Sequence, residues 1–231
     1  MVGKAILEFK RATVVVPEPY EFGLEEAGLR LEAGDLALVS EERGRGETPL
    51  ADVAQGLIAP VSGEVIFQGK DWRERSPGSA AAARGRIGRV FRRGGWVSNL
   101  NVDENITLPL RHHTGMPPEE IRRSAEETGK KFGLSPLPEE RPALCSRSAL
   151  KRAAWVRAFL GEPALIILEE PLRDAYSEML HLLMKGIGEA ILRGAAVLWI
   201  SGGFPDFAGH RLAPLKRYRL KGPRLEPAEN D

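Results

Sequence analysis

The sequence predicts an α/β fold built on a sheet of parallel strands, and two observations carry that expectation. Residues 36–40, 164–168 and 195–200 are short, nearly continuous apolar runs, the composition of strands covered on both faces. Helical patterns alternate with these runs at the spacing of strand–helix–strand crossovers. The chain has 231 residues, 42% of them hydrophobic, enough for one large domain or two closely joined ones with a sizeable core.

Taken in order, residues 5–9 and 13–16 read as two strands broken by Pro17-Glu18-Pro19, and 24–31 as another followed by a turn at 32–35. The apolar run 36–40 leads into a loop, 41–46, and then into a helix over 48–57 opened by Pro49. Residues 62–67 read as a strand. The Ser-, Pro-, Gly- and Ala-rich stretch 73–84 reads as a mobile loop. From Val102 to Gly133 the pattern is helical, with Pro117-Pro118-Glu119-Glu120 opening a helix and placing acidic residues where they suit its dipole. A helix over 151–160 stops at Gly161-Glu162-Pro163, and 177–192 is expected as a helix between the last two apolar strands. The polar stretch 223–231 is expected to fray.

Thirty-three lysines and arginines nearly balance thirty-two aspartates and glutamates, which argues against nucleic acid held by bulk charge. The single Cys145 excludes an intramolecular disulfide and a cysteine-rich metal site, and it reads as a small packed residue. No apolar run approaches the roughly 20 residues that span a bilayer. The N-terminus has charges within its apolar part and reads as a first strand, unlike a signal peptide. These features lead to an expectation of a soluble cytoplasmic protein. His112 and His113 have no partner at metal-ligand spacing and read as surface residues; no metal site is expected. Arg84, Arg86, Arg89, Arg92 and Arg93 form a local basic cluster, read as a solvated rim that could meet acidic protein or lipid headgroups.

The segments EERGRGETPL, GLIAPVSGEVIFQGKDW, RIGRVFRRGGWVSNLNVDENITLPLRHH, ALCSRSALKRAAWVRAFLGEPALIILEEP and AAVLWISGG follow one another in the order of an ABC transporter ATP-binding cassette. The resemblance covers about residues 5–220. The segment RRGGWVSNLNVDENITLPLRHHTG is especially similar to cassettes of the Mla/Mce type, associated with phospholipid transport across bacterial envelopes. It implies a P-loop NTPase-like single cassette with a mixed core sheet, an antiparallel β subdomain and a helical subdomain. The implied boundaries are about 1–85 and 160–222 for the core with its β subdomain and about 86–159 for the helical part, with 223–231 a flexible tail.

Position by position, the resemblance implies lost chemistry. A phosphate loop reads G-x-x-x-x-G-K-[ST], with backbone N–H groups cradling phosphates, lysine reaching the β/γ-phosphates and the hydroxyl on Mg²⁺. Here Glu41 stands at the first glycine, Gly44 and Gly46 are retained, Glu47 replaces the lysine and Thr48 keeps the hydroxyl. Unit charges at ~4 Å and an effective dielectric near ~20 interact by about 4 kcal/mol, so Glu47 turns an attraction into a comparable repulsion. Arg92 stands at the Q-loop glutamine and Ser146-Arg147-Ser148 at the signature, where Arg147 and Ser148 put Cβ atoms in place of glycines. Glu169 takes the Walker B aspartate position and Glu170 the general-base position, both read as relics or solvated strand-end charges. Tyr176 stands at the D-loop aspartate and Gly202 at the switch histidine. Tyr20 or Phe22 could fill the adenine-stacking position, with packing against the first sheet the equal alternative.

In the family each ATP site joins one subunit's P-loop to its partner's signature, and here both halves are altered. The expectation is therefore a pseudo-ATPase with no cofactor, a structural or regulatory subunit peripheral to the cytoplasmic face of the inner membrane. Its implied partners are a second cassette, as homo- or heterodimer, and a membrane permease meeting the surface from Arg92 to His113. Two alternatives stand beside this reading. One is a feeble or partner-activated ATPase, with Mg-ATP as cofactor, using Thr48, Glu169 and Glu170. The other is a soluble scaffold detached from transport.

Overall fold

The computed structural model describes residues 5–15, 20–42, 47–173, 179–204 and 215–228. Its strands are β1 (Ala5–Val14), β2 (Leu24–Glu32), β3 (Leu36–Glu41), β4 (Ser62–Phe67), β5 (Lys70–Asp71), β6 (Ile87–Val90), β7 (Leu165–Glu169), β8 (Ala196–Ser201), β9 (Leu215–Lys221) and β10 (Arg224–Pro227). The helices are α1 (Leu50–Ala54), α2 (Pro77–Arg84), α3 (Val102–His113), α4 (Pro118–Lys131), α5 (Arg147–Phe159) and α6 (Leu180–Leu192).

The strands form two sheets. One is antiparallel, in the order β2-β1-β4-β5; the other runs β10-β9-β3-β8-β7-β6. In the larger sheet β3, β6, β7, β8 and β9 pair in parallel and only β10 is antiparallel, so it is mixed. Its central strands β3, β7 and β8 are apolar up to their carboxyl-terminal residues because both faces are covered. Leu36 and Leu38 face the core shared with α3–α6, whereas Ala37 and Val39 face the core shared with the antiparallel sheet, α1 and α2. The same period of two places Glu41, Arg89 and Glu169 on the side of α1, together with Val39, Ile87 and Ile167.

The structure revises several expectations. The two strands expected at 5–9 and 13–16 are one strand, with the register slipping between Phe9 and Ala12 and Arg11 at φ +48°; residues 16–19 lie outside the described residues. The loop expected at 73–84 contains α2. Ser76 caps it by accepting from the Ser79 amide, Pro77 starts it, and an alanine run favours it. The stretch expected to fray contains β10, whose Leu225 is buried and whose residues pair with β9. The boundary expected near residue 86 falls before β6, which belongs to the core sheet. Gly88 explains how closely that strand lies under α5, since a Cβ there would meet the Ala158 carbonyl oxygen at 1.7 Å. Among the described residues, no helix is long and apolar enough to cross a membrane.

Candidate functional site

The carboxyl ends of β3, β6, β7 and β8 lie side by side, and Glu41, Thr48, Arg92, Glu170 and Gly202 converge there. Arg89, at the third position of β6, is only 8% exposed. Its Nε donates to Glu169 Oε2 at 2.7 Å, and its Nη1 donates to Asp52 Oδ1 at 2.5 Å and to Gln55 Oε1 at 2.7 Å. Burial works against the charge on Arg89, but Glu169 and then Asp52 outweigh it and raise its pKa above the ordinary arginine value. Tyr20 donates its hydroxyl to the second oxygen of Asp52. Burial, then that hydrogen bond and the charge of Asp52, raise the Tyr20 pKa well above the usual phenol range.

Arg92, two residues beyond β6, reaches back across the strand ends. It donates to Glu41 Oε2, and its Nη1 lies 3.7 Å from Glu170 Oε1. Burial opposes its charge too, and Glu41 followed by Glu169 and Glu170 reverses the effect. The other oxygen of Glu41 accepts from Thr48 Oγ1 at 2.5 Å. Glu170 also accepts the Gly202 amide at 2.9 Å. Glu47, at the phosphate-lysine position, pairs with the exposed Arg93 at 2.9 Å.

This geometry corrects two expectations. Only Arg86 and Arg93 of the basic cluster are exposed as a solvated rim would be; Arg89 and Arg92 point inward among carboxylates, and Arg84 donates to the carbonyls of Gln55 and Gly56. Nor are Glu169 and Glu170 solvated strand-end charges: Glu169 is 6% exposed and both are paired. Gly44, Gly46 and Tyr176 lie outside the described residues.

The signature segment is elsewhere. Ser146 caps α5 by accepting from the Ala149 amide, Arg147 is exposed at the first helical position, and Ser148 donates to the Met179 sulfur at 3.8 Å. None of the three meets the strand-end cluster. Cys145 is half-buried against the helical core, and burial raises its thiol pKa. His112 is exposed and His113 half-buried, their rings 4.7 Å apart edge to face. Phe22 is half-buried near Tyr20 in sequence.

The sequence reading missed Asp52, Gln55 and Asn105 and did not see what Arg89 and Arg157 do. Arg157 alone had a local signal, as the one charge within the apolar stretch AAWVRAF. It donates to the Gly94 and Gly95 carbonyls and lies over the rings of Phe91 and Trp96.

A mixed sheet with a phosphate-loop position between β3 and α1, a separate antiparallel sheet and a helical layer define the architecture of a P-loop nucleotide-binding cassette. The family pattern described as ABC transporter matches residues 24–173, and the chain belongs to the ABC transporter family. It is 28% identical over 188 residues to the intermembrane phospholipid transport system ATP-binding protein MlaF of Haemophilus influenzae, covering 80% of this chain and 69% of that one. Against MlaF of Escherichia coli K12 it is 28% identical over 165 residues, 71% of this chain and 61% of that one. The chain thus spans about two thirds of the length of these relatives. A putative hemin import ATP-binding protein, HrtA of Staphylococcus epidermidis, is also 28% identical, over 64% of this chain and 66% of its own length. Among solved structures, the dimeric bacterial ABC transporter cassette MJ0796 superposes with a TM-score of 0.83 at 22% identity, covering 95% of this chain and 96% of that one; the likeness concerns the fold.

Proposed function

We propose that this chain is a catalytically degenerate nucleotide-binding subunit, a pseudo-ATPase, with a structural or regulatory role in a membrane transport complex. The observation that carries the reading is the ion-pair cluster at the strand ends. Glu41 and Glu170 are engaged with Arg92, and Glu169 with Arg89. These are the positions from which the family handles Mg-ATP.

The residues present do not fit that group. A guanidinium sits among the carboxylates that would face a magnesium ion, and a glutamate stands where a lysine would meet phosphate. Glu170 as a base would need substrate within hydrogen-bond reach, and its Oε1 instead accepts the Gly202 amide. The MlaF similarity supports phospholipid as the cargo class, and the dimeric MJ0796 cassette supports a second cassette as dimer partner; the reading adds a membrane permease that meets the face from Arg92 to His113. Location at the cytoplasmic face of the membrane follows from the same reading.

Equilibrium binding of labelled ATP with magnesium tests it. The expected result is no saturation at millimolar nucleotide and no turnover, with Glu47→Lys failing to create any. Micromolar affinity with turnover abolished by Glu170→Gln would instead make the chain a working ATPase.

A further inference from the structure

We propose that residues 91–101 form a rigid strap, fastened at three points, that holds the helical layer on the core sheet in one arrangement with or without nucleotide. The inference deepens the preceding reading and rests on it, because it assigns to fixed side chains a task for which no nucleotide is needed.

The first fastening is Arg92, whose guanidinium crosses from the strap to Glu41 at the end of β3 and to Glu170 beyond β7. Both groups are largely shielded from water, so the pair is screened little by salt. The second is Arg157 of α5, 9% exposed and without a carboxylate partner among the described residues. It donates from Nη2 to Gly94 O at 2.5 Å and from Nη1 to Gly95 O at 2.7 Å. Its guanidinium lies 4.5 Å from the Trp96 ring centroid and 5.3 Å from that of Phe91. Burial pulls its pKa down to about 10, so it stays charged at neutral pH. Two carbonyl dipoles and two aromatic faces thus stabilise a buried cation, and they do so only while the strap is folded over it. The turn needs Gly94 and Gly95, which sit at φ +82° and +56°.

The third fastening is Asn105 of α3, 1% exposed. Its Oδ1 accepts from the Val97 amide at 2.8 Å, and its Nδ2 donates to the carbonyls of Val97, Leu100 and Asn101 at 2.9–3.2 Å. The strap is therefore tied at one end to the core, in its middle to α5 and at its far end to α3. Val97 remains 40% exposed on its outer side, on the face assigned above to a permease. A partner would meet a platform of fixed shape.

Amide hydrogen exchange of the full chain reads this directly at Gly94, Val97 and Leu100, whose N–H groups donate to Phe91 O, Asn105 Oδ1 and Val97 O. In the unmodified protein all three should exchange slowly, and millimolar Mg-ATP should leave them unchanged. Arg92→Gln should speed the Gly94 amide by about tenfold or more while leaving Leu100 protected, and Arg92→Lys should recover part of the loss. If Arg92→Gln does not fold, Arg157→Met serves, with the same acceleration expected at Gly94. Fast exchange in the unmodified protein, a response to Mg-ATP, or a uniform acceleration in the variants would overturn the strap. ATP affinity measured on the same samples keeps the two ideas apart. Tight binding with unchanged protection sinks the pseudo-ATPase and spares the strap; no binding with fast exchange does the reverse.

Discussion

The strand ends and the segment Ser146–Ser148, which the resemblance aligns with the two halves of the family's ATP site, differ in how their charges are met. At the strand ends the charged side chains come with partners: Glu41 meets Arg92, Glu47 meets Arg93, and Glu169 meets Arg89. At the signature position Ser146 caps α5, and Arg147 stands exposed with no ion-pair partner among the described residues. A buried charge is tolerated only with its counter-charge, since desolvation costs several kcal/mol per ion, roughly, while an exposed arginine faces no such demand. Burial therefore accounts for the pairing of Glu41 with Arg92 and of Glu169 with Arg89, and its absence at Arg147 leaves that charge free to stand alone.

The contrast can be broken most forcefully at Arg89. Arg89→Ala leaves Asp52 and Glu169 without their buried cation and should lower unfolding stability by about 3–5 kcal/mol, read from the urea midpoint. A loss below about 1 kcal/mol would mean that the cluster is hydrated and that the two halves do not differ. Next in size, Ser146→Ala removes only the α5 cap and should cost about 1 kcal/mol. A loss as large as that at Arg89 would give the signature segment a tertiary role.

A smaller effect follows from pH. The folded-state pKa of Tyr20 lies above its unfolded value, so its contribution is complete below about pH 10 and is lost as pH rises beyond that. Urea titrations between pH 9 and 11 should show this alkaline loss. Tyr20→Phe should reduce it without abolishing it, because burial also raises the pKa of Tyr218. The smallest effect should come from Arg147→Glu. It replaces a cation at the positive end of the α5 dipole and should stabilise the protein by about 0.3–1 kcal/mol. Destabilisation would point to an unseen carboxylate partner for Arg147.

How much the sequence revealed differs between fold and site for a physical reason. Strands β3, β7 and β8 were legible because apolar runs covered on both faces announce themselves locally. Strand β9 was not, since LKRYRLK carries four charges, two of them adjacent, and has no apolar run to mark it. Helix α2 was hidden by glycine and serine, although Ser76-Pro77 is itself a starting signal. At the site the identities of Glu41, Arg92, Glu169 and Glu170 were readable, but their partnerships were not. Arg92 and Glu41 are 51 positions apart and Arg89 and Glu169 are 80 apart, so only the sheet order brings them together. Without it, five nearby arginines look like a surface patch.

Trp96 gives the chain an optical property of its own. Trp72, Trp155 and Trp199 are buried, whereas Trp96 is half-buried with its ring beside the Arg157 guanidinium. A collisional quencher in solution therefore reaches one indole ahead of the other three, and that indole lies where the helices meet the sheet. Any binding partner that covers or shifts this junction should change the quenching of native fluorescence, with no added label.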